Sequence, residues 1–224
     1  MVRRDIAQFI DHTLLKADAT EKQIIQLCLE AKENSFAAVC VNPYYVNLAS
    51  MLLAGTKVKI ATVIGFPLGA NSYKVKAYEA LEAFKAGADE IDMVINIGAL
   101  KDNQKDIVQK EIQEVVDVAK NQSSEKIVKV IIETALLTDE EKTRACEIIL
   151  KTGAHFVKTS TGFSSGGATI QDIKLLKSIV RDQVLIKASG GIKNYETALA
   201  MLEAGANRIG TSSGVEIVSG HETM

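Results

Sequence analysis

Eight short, nearly unbroken apolar segments punctuate this chain, and stretches with helical spacing run between them. The segments are FIDHTLL (9–15), FAAVCVN (36–42), KIATVIGF (59–66), EIDMVINIG (90–98), IVKVIIET (127–134), HFVKTST (155–161), VLIKASG (184–190) and NRIGTSS (207–213). Strands without polar alternation are those covered on both faces, as in a parallel sheet flanked by helices. Between them, Ile24, Leu27, Cys28 and Ala31 keep the i, i+3, i+4, i+7 spacing of a one-sided helix, as do Val108, Ile112, Val115, Val116 and Ala119. Thr20 with Gln23 and Thr138 with Glu141 are spaced as capping boxes. Gly87, Gly153 and Gly205 each open a Gly-Ala-X tripeptide just before a strand, where a left-handed residue turns a helix end back into the sheet. Pro43 and Pro67 fall just past strand ends, where a lost N–H costs little.

Eight such units in 224 residues predict an α/β fold of the (β/α)8 barrel type, a single domain over 1–224. The competing architecture is an open doubly wound sheet. No GxGxxG follows the first strand and no Walker A motif is present, which disfavours it.

Net charge is −2 without a basic block, so neither nucleic acid nor a membrane surface is an expected partner. No apolar run approaches the roughly 18 residues of a membrane span. The start, MVRRDIAQFIDHT, lacks the apolar segment of a secretory leader. Three scattered cysteines, Cys28, Cys40 and Cys146, fit a reducing cytoplasm better than a disulfide framework. Neither CxxC nor HExxH occurs, so no metal and no cofactor are expected.

Barrel enzymes place their sites at the C-terminal ends of the strands. Lys158 interrupts the sixth segment and Lys187 the seventh, at equivalent points. A single strand-end lysine can simply extend its ammonium to solvent. Two on neighbouring strands raise each other's cost of charging, so at least one loses proton affinity. A lysine neutral near pH 7 is a nucleophile suited to forming a Schiff base with a carbonyl. Asp92, in the fourth segment, can keep one lysine charged while the other is neutral, and can relay protons. Asp11 is a weaker candidate, and His12 beside it reads as a hydrogen-bonded structural group. Lys57, Lys59, Lys126 and Lys129 also fall at or within strand starts; position near the C-terminal end separates Lys158 and Lys187 from them.

Clusters of glycine and hydroxyl residues follow the last three strands: STGFSSGG (160–167), SGGI (189–192) and GTSSG (210–214). Each alone is ordinary turn chemistry. Together they match the phosphate-binding loops of such barrels, where backbone N–H groups and a short helix N-terminus meet the anion. Gly190, Gly191, Ser212 and Ser213 supply such contacts without an arginine, and GVEIVSG (214–220) is a candidate for the short helix. The residues thus describe a phosphorylated aldehyde or ketone held over a lysine nucleophile.

FVKTSTGF, EIDMVINIG, VKVIIET, IKASGGIK and IGTSSG, in their order across nearly the whole chain, resemble the deoxyribose-phosphate aldolase family. The resemblance implies a lyase of the class I aldolase type, a (β/α)8 barrel cleaving 2-deoxy-D-ribose 5-phosphate to D-glyceraldehyde 3-phosphate and acetaldehyde, in deoxyribose phosphate breakdown. It implies that Lys158 forms the Schiff base, that Lys187 perturbs it and relays protons, and that Asp92 is the carboxylate of that relay. Thr161, Gly162, Gly190, Gly191, Ser212 and Ser213 fall at the phosphate positions, and Asp11 matches a substrate-side aspartate. Some family members carry a C-terminal tyrosine that aids proton transfer; here the chain reads VSGHETM. Cys40 lies near the site as a packed thiol or a target for reactive aldehydes. A homo-oligomer, dimer or tetramer, is expected. The alternatives are a lysine-dependent aldolase for another phosphorylated sugar, and a catalytically silent sugar-phosphate-binding barrel.

Overall fold

Each expected apolar segment contains a strand, and the strands close on themselves. A computed structural model describes residues 6–220. Its strands are β1 (Ile10–Leu14), β2 (Ala38–Val41), β3 (Lys59–Ile64), β4 (Glu90–Val94), β5 (Ile127–Ile131), β6 (Phe156–Lys158), β7 (Leu185–Ser189) and β8 (Arg208–Thr211). All neighbours are parallel, in the order β1 to β8 with β8 pairing back to β1, which rules out the open doubly wound sheet.

The helices between them are α1 (Glu21–Asn34), α2 (Val46–Leu53), α3 (Tyr73–Lys85), α4 (Ile97–Lys101), α5 (Lys105–Gln122), α6 (Asp139–Ile149), α7 (Ile170–Val180), α8 (Tyr195–Glu203) and α9 (Gly214–Ser219). The buried stripe of α1 is Ile24, Leu27, Cys28 and Ala31, as the spacing predicts. That of α5 is the predicted set plus Glu111. Glu111 is buried because the Lys76 ammonium of α3 lies 2.6 Å away and the Asn96 N–H donates to it at 2.6 Å. Both capping boxes form: the Thr20 N–H donates to Gln23 Oε1 at 2.9 Å and the Thr138 N–H to Glu141 Oε2 at 2.8 Å. Gly87 and Gly205 leave α3 and α8 with φ of 108° and 118°, and Gly153 turns at 74° after α6.

The strands are shorter than the apolar segments, for local reasons. In EIDMVINIG, Asn96 Oδ1 accepts the Ala99 N–H at 3.0 Å and caps a helix, so Ile97 and Gly98 leave the sheet. Thr134 enters a 3-10 turn after β5. β6 keeps three residues, although the Thr159 N–H still reaches the Lys187 carbonyl at 3.1 Å.

Successive residues of a strand point to opposite sides. The outward set, including Val39, Val41, Ile91, Met93, Val128, Val130, Val157, Ile186 and Ile209, packs with the helix stripes into one large apolar core. The inward set divides. Around β2 and β3 it forms a small cluster of Leu15, Ala38, Cys40, Ala61 and Val63. Across the rest of the barrel it carries the charged residues, with Val94, Ile131 and Phe156 at the same parity. Residues 221–224, where the tail was compared with a family tyrosine, lie outside the described residues.

Candidate active site

The inward positions follow from strand parity and register. On β4, Glu90 and Asp92 point in while Ile91 and Met93 pack outside. Register places Asp92 beside Lys129 of β5, Lys158 of β6 beside Lys187 of β7, and Lys187 beside Arg208 of β8. Asp11 of β1 lies beside Gly210 of β8. Gly210 points toward Lys187, and a Cβ there would stand 3.0 Å from Lys187 Cε, so glycine leaves room for the lysine stem.

These side chains are in direct contact. Asp92 Oδ2 accepts from Lys158 Nζ at 2.8 Å and from Lys187 Nζ at 2.7 Å. Its Oδ1 accepts from Lys129 Nζ at 2.7 Å. Lys187 also donates to Asp11 Oδ2. Lys129 is 2.6 Å from Glu90. Arg208 donates from Nε to Asp11 at 2.7 Å and from Nη2 to Glu90 at 2.8 Å. Four cations, Lys129, Lys158, Lys187 and Arg208, therefore meet three carboxylates, Asp11, Glu90 and Asp92.

Burying charge is costly unless it is paired, so one surplus cation must lose proton affinity. That cation is Lys158. Burial pulls its ammonium below the ordinary lysine value; Asp92 resists and Lys187 adds to the fall. Burial also works against Lys187, but Asp11 and Asp92 outweigh it and hold that ammonium above its ordinary value. Lys129 is held up in the same way by Asp92 and Glu90. Burial pushes the Asp92 carboxyl up, yet Lys129, Lys158 and Lys187 together bring it well below its usual range. The sequence reading assigned the depressed lysine to its cationic neighbour. In the structure burial is the larger cause, and Lys187 is secondary.

Of these seven groups, Lys158 alone lines the cavity at the C-terminal end of the barrel, a space of about 390 Å³. Lys187, Asp92 and Asp11 are fully buried behind it. One wall is made of loop glycines and hydroxyls: Gly162, Gly190, Gly191 and Ser212. Gly190 has φ 85°, and an added Cβ would meet the Gly167 backbone at 3.0 Å. Another wall is apolar, with Leu14, Leu15 and Phe163, whose ring stands edge-on to Phe66 at 5.2 Å. Lys16 and Lys193 bring two exposed ammonium groups to the rim.

Two predicted binding residues serve the loops rather than the open space. Thr161 lines the cavity, but its N–H and hydroxyl both donate to Glu133 Oε2, the N–H at 3.2 Å. Ser213 stands behind Ser212 at the start of α9, its N–H donating to Thr211 Oγ1 at 2.9 Å. Thr211 in turn donates to the Ile192 carbonyl at 2.7 Å, tying the loops after β7 and β8 together.

His12 faces outward from β1, with Nε2 2.6 Å from Glu30 and its ring packed on Phe36, a structural setting. Cys40 is fully buried in the small inner cluster, and burial raises its thiol above the ordinary value. Sequence reading missed Lys129, Glu90, Arg208, Lys16 and Lys193. Lys129 was set aside because it precedes the end of its strand. Barrel strands are staggered, so place along a strand is not height along the barrel. Inward parity is the signal that finds it: Glu90, Asp92, Lys129, Lys158, Lys187 and Arg208 all alternate with outward apolar residues.

Comparison with known proteins points to one family. The model of the DeoC/LacD family aldolases matches residues 6–220. The deoxyribose-phosphate aldolase of Clostridium tetani is 58% identical over 214 residues, covering 96% of this chain and 98% of that one. A putative deoxyribose-phosphate aldolase from Coccidioides immitis superposes with a TM-score of 0.95 at 42% identity, covering 99% of this chain and 87% of that one. The deoxyribose phosphate aldolase of Aeropyrum pernix, described as a unique tetrameric structure, superposes with a TM-score of 0.92 at 34% identity, covering 99% and 93%.

Proposed function

The chain belongs to the DeoC/LacD family of aldolases, and from that premise we propose that it is a class I aldolase for 2-deoxy-D-ribose 5-phosphate. It cleaves this sugar phosphate reversibly to D-glyceraldehyde 3-phosphate and acetaldehyde through a Schiff base on Lys158. One observation carries the reading: Lys158 is the single member of a buried charge cluster that reaches the cavity, and it is the surplus cation of that cluster.

A neutral Lys158 Nζ attacks the aldehyde carbon C1 of the open-chain sugar. The carbinolamine loses water and becomes a protonated imine. Asp92 Oδ2, 2.8 Å from Nζ, takes and returns the protons that these steps move, and Lys187 replenishes Asp92 from 2.7 Å. The imine cation draws the electron pair of the C2–C3 bond as the C3 hydroxyl gives up its proton, through water, to Asp92, and glyceraldehyde 3-phosphate leaves. The enamine left on Lys158 is protonated at C2, and water hydrolyses the imine to release acetaldehyde.

The phosphate lies against the glycine and hydroxyl wall. Gly162, Gly190 and Gly191 allow close backbone approach, Ser212 faces the anion, and Lys16 and Lys193 supply charge from the rim. Thr161 and Ser213 act as struts of those loops. Asp11 acts from behind, by keeping Lys187 charged.

Three free, buried thiols suit a reducing cytoplasm. Among the described residues no helix is long and apolar enough to cross a membrane. The tetrameric relative supports a homo-oligomer. Incubation with deoxyribose 5-phosphate or acetaldehyde followed by borohydride tests the reading. A reduced two-carbon adduct on Lys158, absent from Lys158→Ala, is expected. Adducts confined to other lysines, or none, would refute it.

A further inference from the structure

Glu90 and Arg208 do not reach the cavity, yet they close a circuit around its floor. From Glu90 the contacts run to Arg208 (2.8 Å), Asp11 (2.7 Å), Lys187, Asp92 (2.7 Å), Lys129 (2.7 Å) and back to Glu90 (2.6 Å). The sign alternates at every step, so six charges sum to zero. Lys158 is attached to this ring through Asp92 alone.

A neutral, fully paired ring leaves Lys158 without a carboxylate of its own. Were the ring one charge more negative, a proton on Lys158 would complete its neutrality. Were it one charge more positive, that proton would be expelled more strongly. Low-dielectric surroundings carry such an effect over several ångströms. Resting on the reading of Lys158 as the imine-forming lysine, we propose that Glu90, Arg208 and Lys129 are positioning residues: they close a charge-neutral ring that keeps Asp92 ionised and Lys187 protonated, and so set the pH at which Lys158 becomes a nucleophile.

The groups facing Lys158 from each packed element agree with this. Asp92 of β4 touches the nucleophile and, through the same oxygen, Lys187 of β7. Lys129 of β5 occupies the other Asp92 oxygen, and Asp11 of β1 lies behind Lys187. β2 brings the Cys40 thiol, and β3 only the apolar Ala61 and Val63. On β8, Arg208 is the inward charge. A simple plug at the base of the barrel would use the same contacts, but its loss would not move the nucleophile's titration in a charge-dependent direction.

The test is the pH profile of imine formation. Acetaldehyde and cyanoborohydride are added to the full-length protein, and the rate of adduct formation on Lys158 is followed by mass spectrometry. R208Q and K129Q each leave the ring one charge negative, and the rising limb should move to higher pH. E90Q leaves it one charge positive, and the limb should move to lower pH. Each shift should be on the order of one pH unit. The double variant E90Q/R208Q should return the limb near its original place. Should R208Q fail to fold, K129Q and E90Q still give the two opposite signs. Shifts of one sign for both kinds of variant, or no shift, would overturn the proposal while leaving the aldolase reading intact. An unmodified Lys158 in the original protein would remove the reading on which both rest.

Discussion

Val157 and Lys158 are consecutive residues of one strand, and the fold treats them oppositely. Val157 points outward into the core between sheet and helices, where buried aliphatic groups pack against helix stripes. Lys158 points inward, into a barrel whose centre is filled by ion pairs over six of its strands and by a small apolar cluster over the other two. The outer layer stabilises the fold by removing apolar area from water, at about 25 cal/mol per Å². The inner layer contributes no such gain, since buried ion pairs roughly break even against apolar packing of the same volume. Many barrels fill this space with bulky branched residues. Here it is charged, and what the arrangement provides is one lysine whose proton affinity burial lowers.

If that division holds, substitutions in the two layers fail differently. The largest effect belongs to Lys158→Ala. Its kcat/KM should fall by a factor on the order of 10⁴ or more, because the covalent route is lost. Its thermal midpoint should hold or rise, because a surplus buried amine is gone. A stability loss comparable to that of a core truncation would break the comparison.

Asp92→Asn comes next. It leaves three lysines around a neutral amide, so stability should fall by about 3–5 kcal/mol in urea titrations, the cost of breaking a buried ion pair from one side. Activity should fall with it even in fully folded protein. Ile112→Ala, in the fully buried stripe of α5, should cost about 3 kcal/mol and leave activity per folded molecule unchanged.

The smallest and most discriminating effect is the response to acid. Asp11 and Asp92 are held below the ordinary aspartate value in the fold, by their cationic neighbours and against burial. A carboxyl with a depressed folded pKa adds stability that is complete above its unfolded value, about 3.9, and is lost as the pH falls toward the folded value. The share of stability that these two carboxyls contribute, read from urea midpoints, should therefore be constant from neutral pH down to about pH 4 and fall below it. Ile112→Ala should run parallel to the original protein throughout, whereas Asp92→Asn should show a shallower acid decline. Parallel curves for all three would place the acid-sensitive groups outside the barrel.

The same division explains what could be read from the sequence. Outward strand positions and helix stripes repeat with fixed periods, so eight strands, the α1 and α5 faces and both capping boxes were visible in the chain itself. Lys158, Lys187 and Asp92 were visible as polar interruptions near strand ends. Lys129 was not, because its relation to Asp92 depends on the stagger between β4 and β5, which no single strand encodes. Arg208 was hidden for the same reason: it opens β8, far in sequence from Glu90, which it contacts across the barrel. The roles of Thr161 and Ser213 as struts emerge only from their partners, Glu133 and Thr211.

The central claim is that the barrel interior singles out one lysine to be neutral. Titration of the lysine side-chain resonances by NMR, with Lys158→Met and Lys187→Met used for assignment, tests it directly. Lys158 should titrate below the ordinary lysine value of about 10.4, and Lys187 should remain charged past it. A Lys158 that stays charged to the ordinary value, or a Lys187 that loses its proton first, would contradict the account.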